Sequence, residues 1–366
     1  MAGFKQLLYY TFRVLHMIVN NIMAIPAFTV WIILLSPLRK LQPSLYWQIE
    51  RILFKAILSF VVMWTNSGGY KIIESGDDLA TLHDKRVLLL VNHQSTADIP
   101  CVMSALLPKS NVIGQIMWIM DYILIYTNFG WVAFLHGDFF IQQGKEYRDS
   151  QLDLLKRHLL DVYLPTDKRW IVLFPEGGFL YKRRPRSQAF AEKNGHPVLN
   201  NVALPRIGAM NTIIDTLSGP AQKSADEPSR KLEWVVDMTL GYPKGEALDM
   251  PGICIGWWSP RNIHIHYRAY PIADIPVTCD AQQQWLYDRY TEKEALLEHF
   301  YLHHEFPDMS LQEKRNLPMM NQREVPFDRV WFLIAYAFYA VSAYVFWIYI
   351  YYPMWSLISS LVSYIF

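Results

Sequence analysis

The charged residues divide the chain into two apolar ends and a mixed middle. Residues 14–38 contain no Asp, Glu, Lys or Arg, and they are bracketed by Arg13 and Arg39. A helix of about 20 apolar residues can cross the roughly 30 Å core of a bilayer. The stretch therefore predicts an uncleaved membrane anchor, and the pattern leaves open whether it spans the bilayer or lies in one leaflet. The short apolar run 56–63 predicts a segment that is interfacial or packed against this anchor.

The C-terminal end is more strongly apolar. Residues 330–366 contain no charged residue in 37 positions, and aromatic side chains dominate them. This pattern predicts one spanning helix that ends near Pro353, followed by a re-entrant or interfacial segment. Arg39, Lys40, Arg323 and Arg329 favour a cytosolic middle region by the positive-inside tendency. The N-terminal cations Lys5 and Arg13 favour the opposite orientation.

The middle of the chain alternates strand-like and helix-like runs. Helical faces are predicted over residues 145–163 and 282–304, and the polar run 218–230 predicts a mobile surface loop. Residues 112–135 are almost uninterrupted apolar, which fits either a buried helix pair or a lipid-facing or acyl-lining wall. The alternation predicts an α/β domain. Strands are predicted over residues 86–92, 169–177, 202–207, 234–240 and 263–267.

Composition narrows the function classes. The net charge is +1, so neither a nucleic-acid partner nor another strongly charged partner is indicated. The three cysteines, Cys101, Cys254 and Cys279, are widely spaced and odd in number. They form neither a disulfide framework nor a metal-binding pair, which indicates a reducing compartment. His264 and His266 share one face of a predicted strand without a third ligand nearby, so no metal site is expected.

A polar group with possible chemistry follows the first predicted strand of the middle. Asn92 and His93 come directly after the aliphatic run, and Asp98 follows five residues later. Ser95 or Thr96 is a plausible N-cap for a helix that begins near residue 97. The turn would let the aspartate reach one imidazole nitrogen and leave the other free to take a proton from a hydroxyl. The alternative is a structural histidine satisfied by a capping aspartate.

Four motifs in order resemble the glycerolipid acyltransferases of the lysophosphatidic acid acyltransferase-like family. Asn92-His93 with Asp98 resembles the family's NHx₄D motif, and residues 174–178 (FPEGG) resemble its FPEG motif. Residues 137–141 (GDFFI) resemble the block between them, and residues 202–205 (VALP) resemble the last block. Within the family, the chain resembles the acyl-CoA:lysophosphatidylglycerol acyltransferase branch over nearly its whole length.

The resemblance implies a fold and a reaction. The fold is a mixed sheet flanked by helices, as in glycerol-3-phosphate acyltransferases, with membrane helices at both ends of the chain. We expect membrane residues 1–70, a catalytic domain over 71–322 and a C-terminal transmembrane region over 323–366. The reaction moves an acyl group from acyl-CoA, a co-substrate, to a lysophospholipid hydroxyl, with no cofactor and no metal. The expected acceptor is lysophosphatidylglycerol or another headgroup-bearing lysophospholipid such as lysophosphatidylethanolamine.

The family also implies roles for individual residues. His93 would be the general base and Asp98 would orient it. The remaining candidates are substrate-binding residues: Asn92, Gly137, Phe140, Glu176, Gly177, Gly178, Lys182, Arg183, Arg184 and Arg206.

The chain departs from the family pattern at two cationic positions. Gln143 stands where an arginine is usual, and Phe179 stands where the FPEG block usually continues with an arginine. The cations of residues 182–186, together with Arg148 and Arg206, are candidates to replace the lost charge, although a basic loop that is solvated or touches anionic lipid fits equally well.

These departures keep one other reaction open, the acylation of a neutral monoacylglycerol. An alternative of another class is a non-catalytic lipid-binding membrane protein, against which the intact His93, Asp98 and Glu176 argue. The expected location is the endoplasmic reticulum membrane, with the catalytic domain in the cytosol.

Overall fold

The computed structural model describes residues 2–144, 146–218, 231–307 and 317–365 of the chain. The predicted loop over 218–230 lies outside these residues, apart from Ser218 at the end of a helix.

One mixed sheet of eight strands forms the centre of the domain, in the order β4-β3-β5-β2-β6-β7-β1-β8. The neighbours from β4 to β6 run parallel, whereas β7 is antiparallel to β6 and β8 is antiparallel to β1. The predicted fold class is confirmed. The strands are β1 Lys71–Asp77, β2 Val87–Val91, β3 Ile116–Asp121, β4 Phe139–Ile141, β5 Trp170–Leu173, β6 Trp234–Gly241, β7 Asn262–Pro271 and β8 Met319–Glu324.

Twelve helices lie within the described residues and cover the two faces of the sheet. The helices that begin before residue 145 are α1 Ala2–Leu34, α2 Ser36–Leu41, α3 Pro43–Ser67, α4 Asp98–Leu106 and α5 Asn128–His136. The others are α6 Arg148–His158, α7 Leu180–Asn194, α8 Ile207–Ser218, α9 Met250–Ile255, α10 Cys279–His303, α11 Arg329–Phe346 and α12 Tyr352–Ile365. The predicted helices near residues 145–163 and 282–304 correspond to α6 and α10.

The position of β2 inside the sheet explains why its sequence is continuously aliphatic. Leu89 packs into the core that includes residues of α3 and α4, whereas Leu88 and Leu90 pack into a second core with residues of α6, α8 and α10. All five residues of β2 are buried. Because successive side chains point to opposite faces, a strand covered on both sides needs apolar residues at every position.

The strand predicted over residues 202–207 is not formed. Three of its backbone N–H groups bind side chains, and the Arg206 N–H donates to the Pro175 carbonyl, so the segment does not pair with a strand. The Ala203 N–H donates to the Glu176 carboxylate, the Leu204 N–H donates to the Ser187 hydroxyl, and the Val202 N–H donates to Glu294. The segment therefore serves as a loop between a carboxylate of the site and α8.

Residues 112–135 do not form the buried helix pair, whereas the alternative of a lipid-facing or acyl-lining wall stays a prediction. The run contains a short 3₁₀ turn, strand β3, a second 3₁₀ turn over Tyr122–Tyr126 and helix α5. The sequence signal failed here because a buried strand and a buried helix both present continuous apolar residues. Strands β1, β3, β4 and β8 were not predicted from the sequence.

Among the described residues, two helices are long and apolar enough to cross a membrane, by length and composition: Gly3–Leu34 and Arg329–Tyr364. Only 28% and 22% of the respective apolar windows are buried inside the protein. The C-terminal helix does not end near Pro353. It continues from α11 through a π-helical turn over Trp347–Tyr351 into α12, where Pro353 is the second residue. Pro353 has no backbone N–H and therefore removes one hydrogen bond from this continuous helix, directly after the π-helical turn.

The N-terminal helix is attached to the rest of the protein by a buried cation. The Arg13 guanidinium donates to the carbonyls of Ile253 and Cys254 in α9 and to the Trp64 carbonyl and Ser67 hydroxyl in α3. Further along α1, the Trp31 indole donates to the Ser342 hydroxyl of α11. The run 56–63, predicted to be interfacial or packed against the anchor, lies within α3, where it is almost entirely buried.

Candidate active site

The predicted motifs meet at the carboxyl ends of β2 and β5. These strands are parallel neighbours, with Leu90 opposite Leu173. The chain leaves β2 at Asn92 and His93, and it leaves β5 at Phe174 and Pro175, so the two motifs emerge at the same edge of the sheet. Such edges are where ligands bind in parallel α/β sheets.

His93 and Asp98 are in direct contact. The His93 Nδ1 lies 2.8 Å from Asp98 Oδ2. A carboxylate only accepts hydrogen bonds, so Nδ1 carries the hydrogen and the neutral ring keeps its lone pair on Nε2. None of the described residues bonds to Nε2. The His93 side chain is 13% exposed, whereas that of Asp98 is fully buried.

Asp98 is the acceptor for several donors. Its Oδ2 also accepts from the backbone N–H groups of Gln94 and Ser95, at 2.6 and 2.9 Å. Its Oδ1 accepts from the Tyr242 hydroxyl at 2.6 Å. Helix α4 starts at Asp98 with Ala97 in the cap position, so neither predicted N-cap is correct. Ser95 instead accepts from the Ala97 N–H and donates to the Leu248 carbonyl.

Glu176 joins three loops of the site from a fully buried position. Its Oε1 accepts from the His93 backbone N–H at 2.8 Å, and its Oε2 accepts from the Ala203 N–H at 2.9 Å. Burial raises the pKa of Glu176 to about 8, although both N–H donors favour the carboxylate. The structure thus gives Glu176 a positioning role for His93, with both oxygens already occupied by backbone.

Two arginines lie against the glycine turn that follows Glu176. Gly177 and Gly178 have φ of +66° and +146°, values that side chains rarely adopt. A Cβ at Gly177 would lie 3.2 Å from the Arg206 guanidinium carbon, and one at Gly178 would lie 3.3 Å from Arg183 Cδ. Glycine is required here because the backbone adopts these conformations and because the arginine side chains pass so close.

These two arginines have no anionic partner within the described ranges. Burial lowers the pKa of Arg206, and the neighbouring charges of Arg183 and Arg148 lower it further. Burial and the Arg186 charge likewise lower the pKa of Arg183, against a smaller opposite effect of Glu176. A group of cations that repel one another without a carboxylate between them is suited to an anionic ligand.

Lys182 and Arg184 are exposed at the start of α7. The Lys182 amine lies 5.8 Å from the centre of the Phe179 ring, which in turn contacts the His93 ring at 4.5 Å between centres. The Phe174 ring also contacts the His93 ring, at 4.2 Å between centres. The histidine therefore contacts two aromatic rings, one of which has a lysine amine nearby.

Asn92 makes structural contacts directly after β2. Its side-chain N–H donates to the Leu240 carbonyl, and its side-chain oxygen accepts from the Leu240 N–H. The residue is fully buried, and these two bonds continue the pairing of β2 with β6 beyond Val91. The predicted contact of Asn92 with substrate stays a prediction.

Gly137 and Phe140 are not brought to the histidine. Gly137 ends α5 with φ of +86°, and its carbonyl accepts from His158. Phe140 lies on β4, three strand positions from β2, which corresponds to about 14 Å. Gln143, at the position where the family usually has arginine, donates to Asp121 instead. The β4 end of the edge thus lacks the expected cation.

Sequence reasoning missed Tyr242, Phe174 and Phe179 as parts of the site. Both phenylalanines lie within or beside a quoted motif, so that proximity was an available signal. Tyr242 has no local signal, because its place beside Asp98 depends on β6 being the neighbour of β2. No cluster of three or more potential metal ligands occurs among the residues that the structure describes.

Comparison with known proteins agrees with the motifs. Residues 72–200 match the acyltransferase family model, and residues 256–338 match the model of the acyltransferase C-terminus. The chain is 43% identical to the human acyl-CoA:lysophosphatidylglycerol acyltransferase 1 and 42% identical to the mouse protein, over 91% of each chain in both cases. It is 28% identical to lysocardiolipin acyltransferase 1 of Danio rerio, over 73% of this chain and 66% of the relative.

The motifs, the sheet and the extent of these matches lead to one assignment. An identity of 43% extends over nine-tenths of both chains, well beyond the two matched family models. The apolar helices at both ends associate the protein with a membrane. The chain belongs to the glycerolipid acyltransferase family and is a membrane-associated acyltransferase.

Proposed function

We propose that this enzyme transfers a fatty acyl group from acyl-CoA to the free hydroxyl of a lysophospholipid whose phosphate bears a headgroup. The acceptor is lysophosphatidylglycerol or a related lipid such as lysophosphatidylethanolamine. The first of these is the acceptor named for the human and mouse relatives. The observation that carries the proposal is the 2.8 Å contact of His93 Nδ1 with Asp98, which leaves Nε2 open.

The reaction follows from this geometry in one transfer. His93 Nε2 takes the proton of the acceptor hydroxyl. At the same time, the oxygen of that hydroxyl attacks the thioester carbonyl. Asp98 stabilises the imidazolium that forms, because its Oδ2 accepts from Nδ1. The C–S bond then breaks, and the departing thiolate takes the proton from Nε2 to give coenzyme A. The new bond is an ester between the acyl carbon and the lipid oxygen, so no acyl-enzyme is required.

The unpaired arginines support a phosphate-bearing acceptor over a neutral monoacylglycerol. Arg183 and Arg206 lie at the turn after Glu176, and Glu176 holds the His93 backbone. Guanidinium groups bind phosphate with two parallel hydrogen bonds. The Gln143 end of the edge offers a neutral amide next to Asp121, a setting better suited to a hydroxyl or ammonium headgroup than to a second phosphate. We place the enzyme in the endoplasmic reticulum membrane with the catalytic domain in the cytosol.

The test uses the purified full chain in phospholipid nanodiscs with radiolabelled acyl-CoA. Lysophosphatidylglycerol, lysophosphatidylethanolamine, lysophosphatidic acid and monoacylglycerol are supplied in turn. We expect His93→Ala to lower kcat by about 10²–10⁴-fold, the usual contribution of a general base. His83→Ala is the matched control, because His83 is exposed and bonds only to the Ala80 carbonyl. Turnover that survives in the His93 variant would refute the base assignment.

The acceptor is tested separately from the base. The double variant Arg183→Gln/Arg206→Gln is expected to raise KM for the lysophospholipids about tenfold or more, through lost charge-assisted hydrogen bonds. Arg157→Gln, an exposed arginine of α6, is the control. A wild-type preference for monoacylglycerol, or an unchanged KM in the double variant, would overturn the phosphate assignment and leave the His93 result untouched.

A further inference from the structure

The carboxylate that orients His93 has two oxygens with unequal surroundings. Oδ2 of Asp98 accepts from the His93 ring and from two backbone N–H groups of the same turn. Oδ1 has a single hydrogen-bond partner among the described residues, the Tyr242 hydroxyl at 2.6 Å. Both Asp98 and Tyr242 are completely buried, so water cannot substitute for that donor.

The position of this tyrosine is fixed by the sheet. Val91 of β2 pairs with Met238 of β6, and the Asn92 side chain bonds both backbone groups of Leu240. Tyr242 follows two residues later and therefore points along the same edge toward the start of α4. Its ring belongs to the core formed with α3 and α4, which restricts its movement. The contact is thus fixed by the pairing of β2 with β6 and by the packing of the Tyr242 ring in the core.

We propose that Tyr242 is a positioning residue of the acyl-transfer reaction, whose hydroxyl group sets the basicity of His93 through Asp98. This inference rests on the proposed role of His93 as general base. A hydrogen bond to Oδ1 withdraws negative charge from the carboxylate, so the carboxylate attracts the protonated imidazole less strongly. The phenol therefore keeps His93 neutral, and so able to accept a proton, at a lower pH than Asp98 alone would allow.

The other titratable groups near Asp98 do not weaken its attraction for the protonated imidazole in the same way. Cys101, Glu176 and Tyr301 are the other groups whose charges reach Asp98. Burial raises the pKa of the Cys101 thiol far above neutrality and that of Tyr301 to about 12, so both stay neutral in the assay range. Glu176, whose pKa burial raises to about 8, titrates on the alkaline side. None of these three groups therefore accounts for a change on the acid side of the rate profile.

The experiment measures kcat/KM against pH for the full-length enzyme in nanodiscs. In Tyr242→Phe, we expect the acid limb to move upward by about 0.5–1 pH unit, because one hydrogen bond to the charged carboxylate is lost. At pH values below the midpoint of the acid limb, this shift lowers kcat/KM about three- to tenfold relative to wild type. At higher pH, kcat/KM should fall much less. KM for the acceptor should stay unchanged, because the buried phenol does not touch substrate.

Tyr290→Phe is the matched control. Tyr290 is also fully buried. Its hydroxyl lies 3.4 Å from the carbonyl of Val91, the last residue of β2, and it does not bond to the Asp98 carboxylate. This variant should leave the acid limb in place. Replacing Tyr242 with 3,5-difluorotyrosine keeps the shape and strengthens the donor, so the limb should move to lower pH, even if the phenylalanine variant folds poorly.

The outcomes separate this inference from the proposed function. An unmoved limb in both Tyr242 variants, with His93→Ala inactive, would overturn the positioning role alone. A fully active His93→Ala enzyme would overturn the proposed function and the inference with it. A loss of thermal stability without a shifted limb would identify Tyr242 as a structural residue and reject the inference.

Discussion

At the scale of single residues, buried carboxylates organise the site by accepting backbone hydrogen bonds. Glu176 receives the N–H groups of His93 and Ala203, and Asp98 receives those of Gln94 and Ser95. Each contact ties a loop of the site to a buried side chain. A buried backbone N–H left without an acceptor costs about 1–3 kcal/mol, so these side chains stabilise the loops as well as the catalytic geometry.

Glu176 makes a prediction about stability and pH. Its pKa of about 8 in the folded protein lies above the usual value of 4.5, because of burial. The folded state therefore retains a proton that the unfolded state loses between these pH values. The resulting stabilisation is complete below about pH 4.5 and declines as pH rises toward 8.

The matched variant is Glu176→Gln, which stays neutral at every pH. It also turns an amide N–H toward one of the two backbone donors, which should lower the free energy of unfolding by about 1–3 kcal/mol at acidic pH. We expect the difference in thermal midpoint between wild type and variant to shrink from pH 4.5 to pH 8. Glu298→Gln, at an exposed position of α10, is the control. A difference that is constant with pH would contradict the raised pKa.

At the scale of elements, the N-terminal helix is joined to the catalytic domain by specific polar contacts. Arg13 of α1 donates to three carbonyls and one hydroxyl on α3 and α9, and its side chain is buried. Trp131 of α5 donates to Thr29, farther along the same helix. The helix therefore contacts the domain at positions 16 residues apart, which corresponds to about 24 Å along its axis.

Replacing Arg13 tests this attachment. Arg13→Met keeps most of the side-chain length but leaves the carbonyls of Trp64, Ile253 and Cys254 without their donor. We expect the free energy of unfolding to fall by about 2–4 kcal/mol, and α1 to become sensitive to protease in detergent. Lys5→Met changes an exposed cation of the same helix and should have little effect. Equal stability of the two variants would show that the contacts of Arg13 contribute nothing.

At the scale of the whole molecule, apolar surface is concentrated on the terminal helices. Leu333 and Val341 of α11 are 63% and 62% exposed, although α11 also packs against α1 and α3. Exposed apolar side chains along two long helices are typical of contact with lipid. The apolar surface of α11 is therefore expected to contact lipid.

Lysine substitutions test the lipid contact. Leu333→Lys/Val341→Lys places two charges on the lipid-facing side of α11, each costing about 2.5–3.5 kcal/mol near the centre of a membrane helix. We expect less protein to remain in membranes after alkaline carbonate extraction. Val277→Lys is the control, because Val277 is strongly exposed on the catalytic domain. Equal membrane retention of the two proteins would argue against lipid contact at α11.

The sequence by itself determined the features that are encoded locally. The apolar ends, the buried strand β2 and the motifs at residues 92–98 and 174–178 each lie within one short segment, where side-chain pattern and spacing carry the information. The fold class followed from the alternation of such segments, and the sheet confirms it. The contact of His93 with Asp98 could also be expected, because one turn connects them.

Tertiary structure decided everything that depends on which strands are neighbours. The pairing of β2 with β5 brings Glu176 to the His93 backbone, and its pairing with β6 brings Tyr242 to Asp98. Periodicity gave Val202–Ile207 the pattern of a strand, yet side-chain acceptors took its N–H groups. The local pattern of side chains indicates only whether a segment prefers a helix or a strand. Long-range contacts determine which donors and acceptors are within reach, and these contacts built the site.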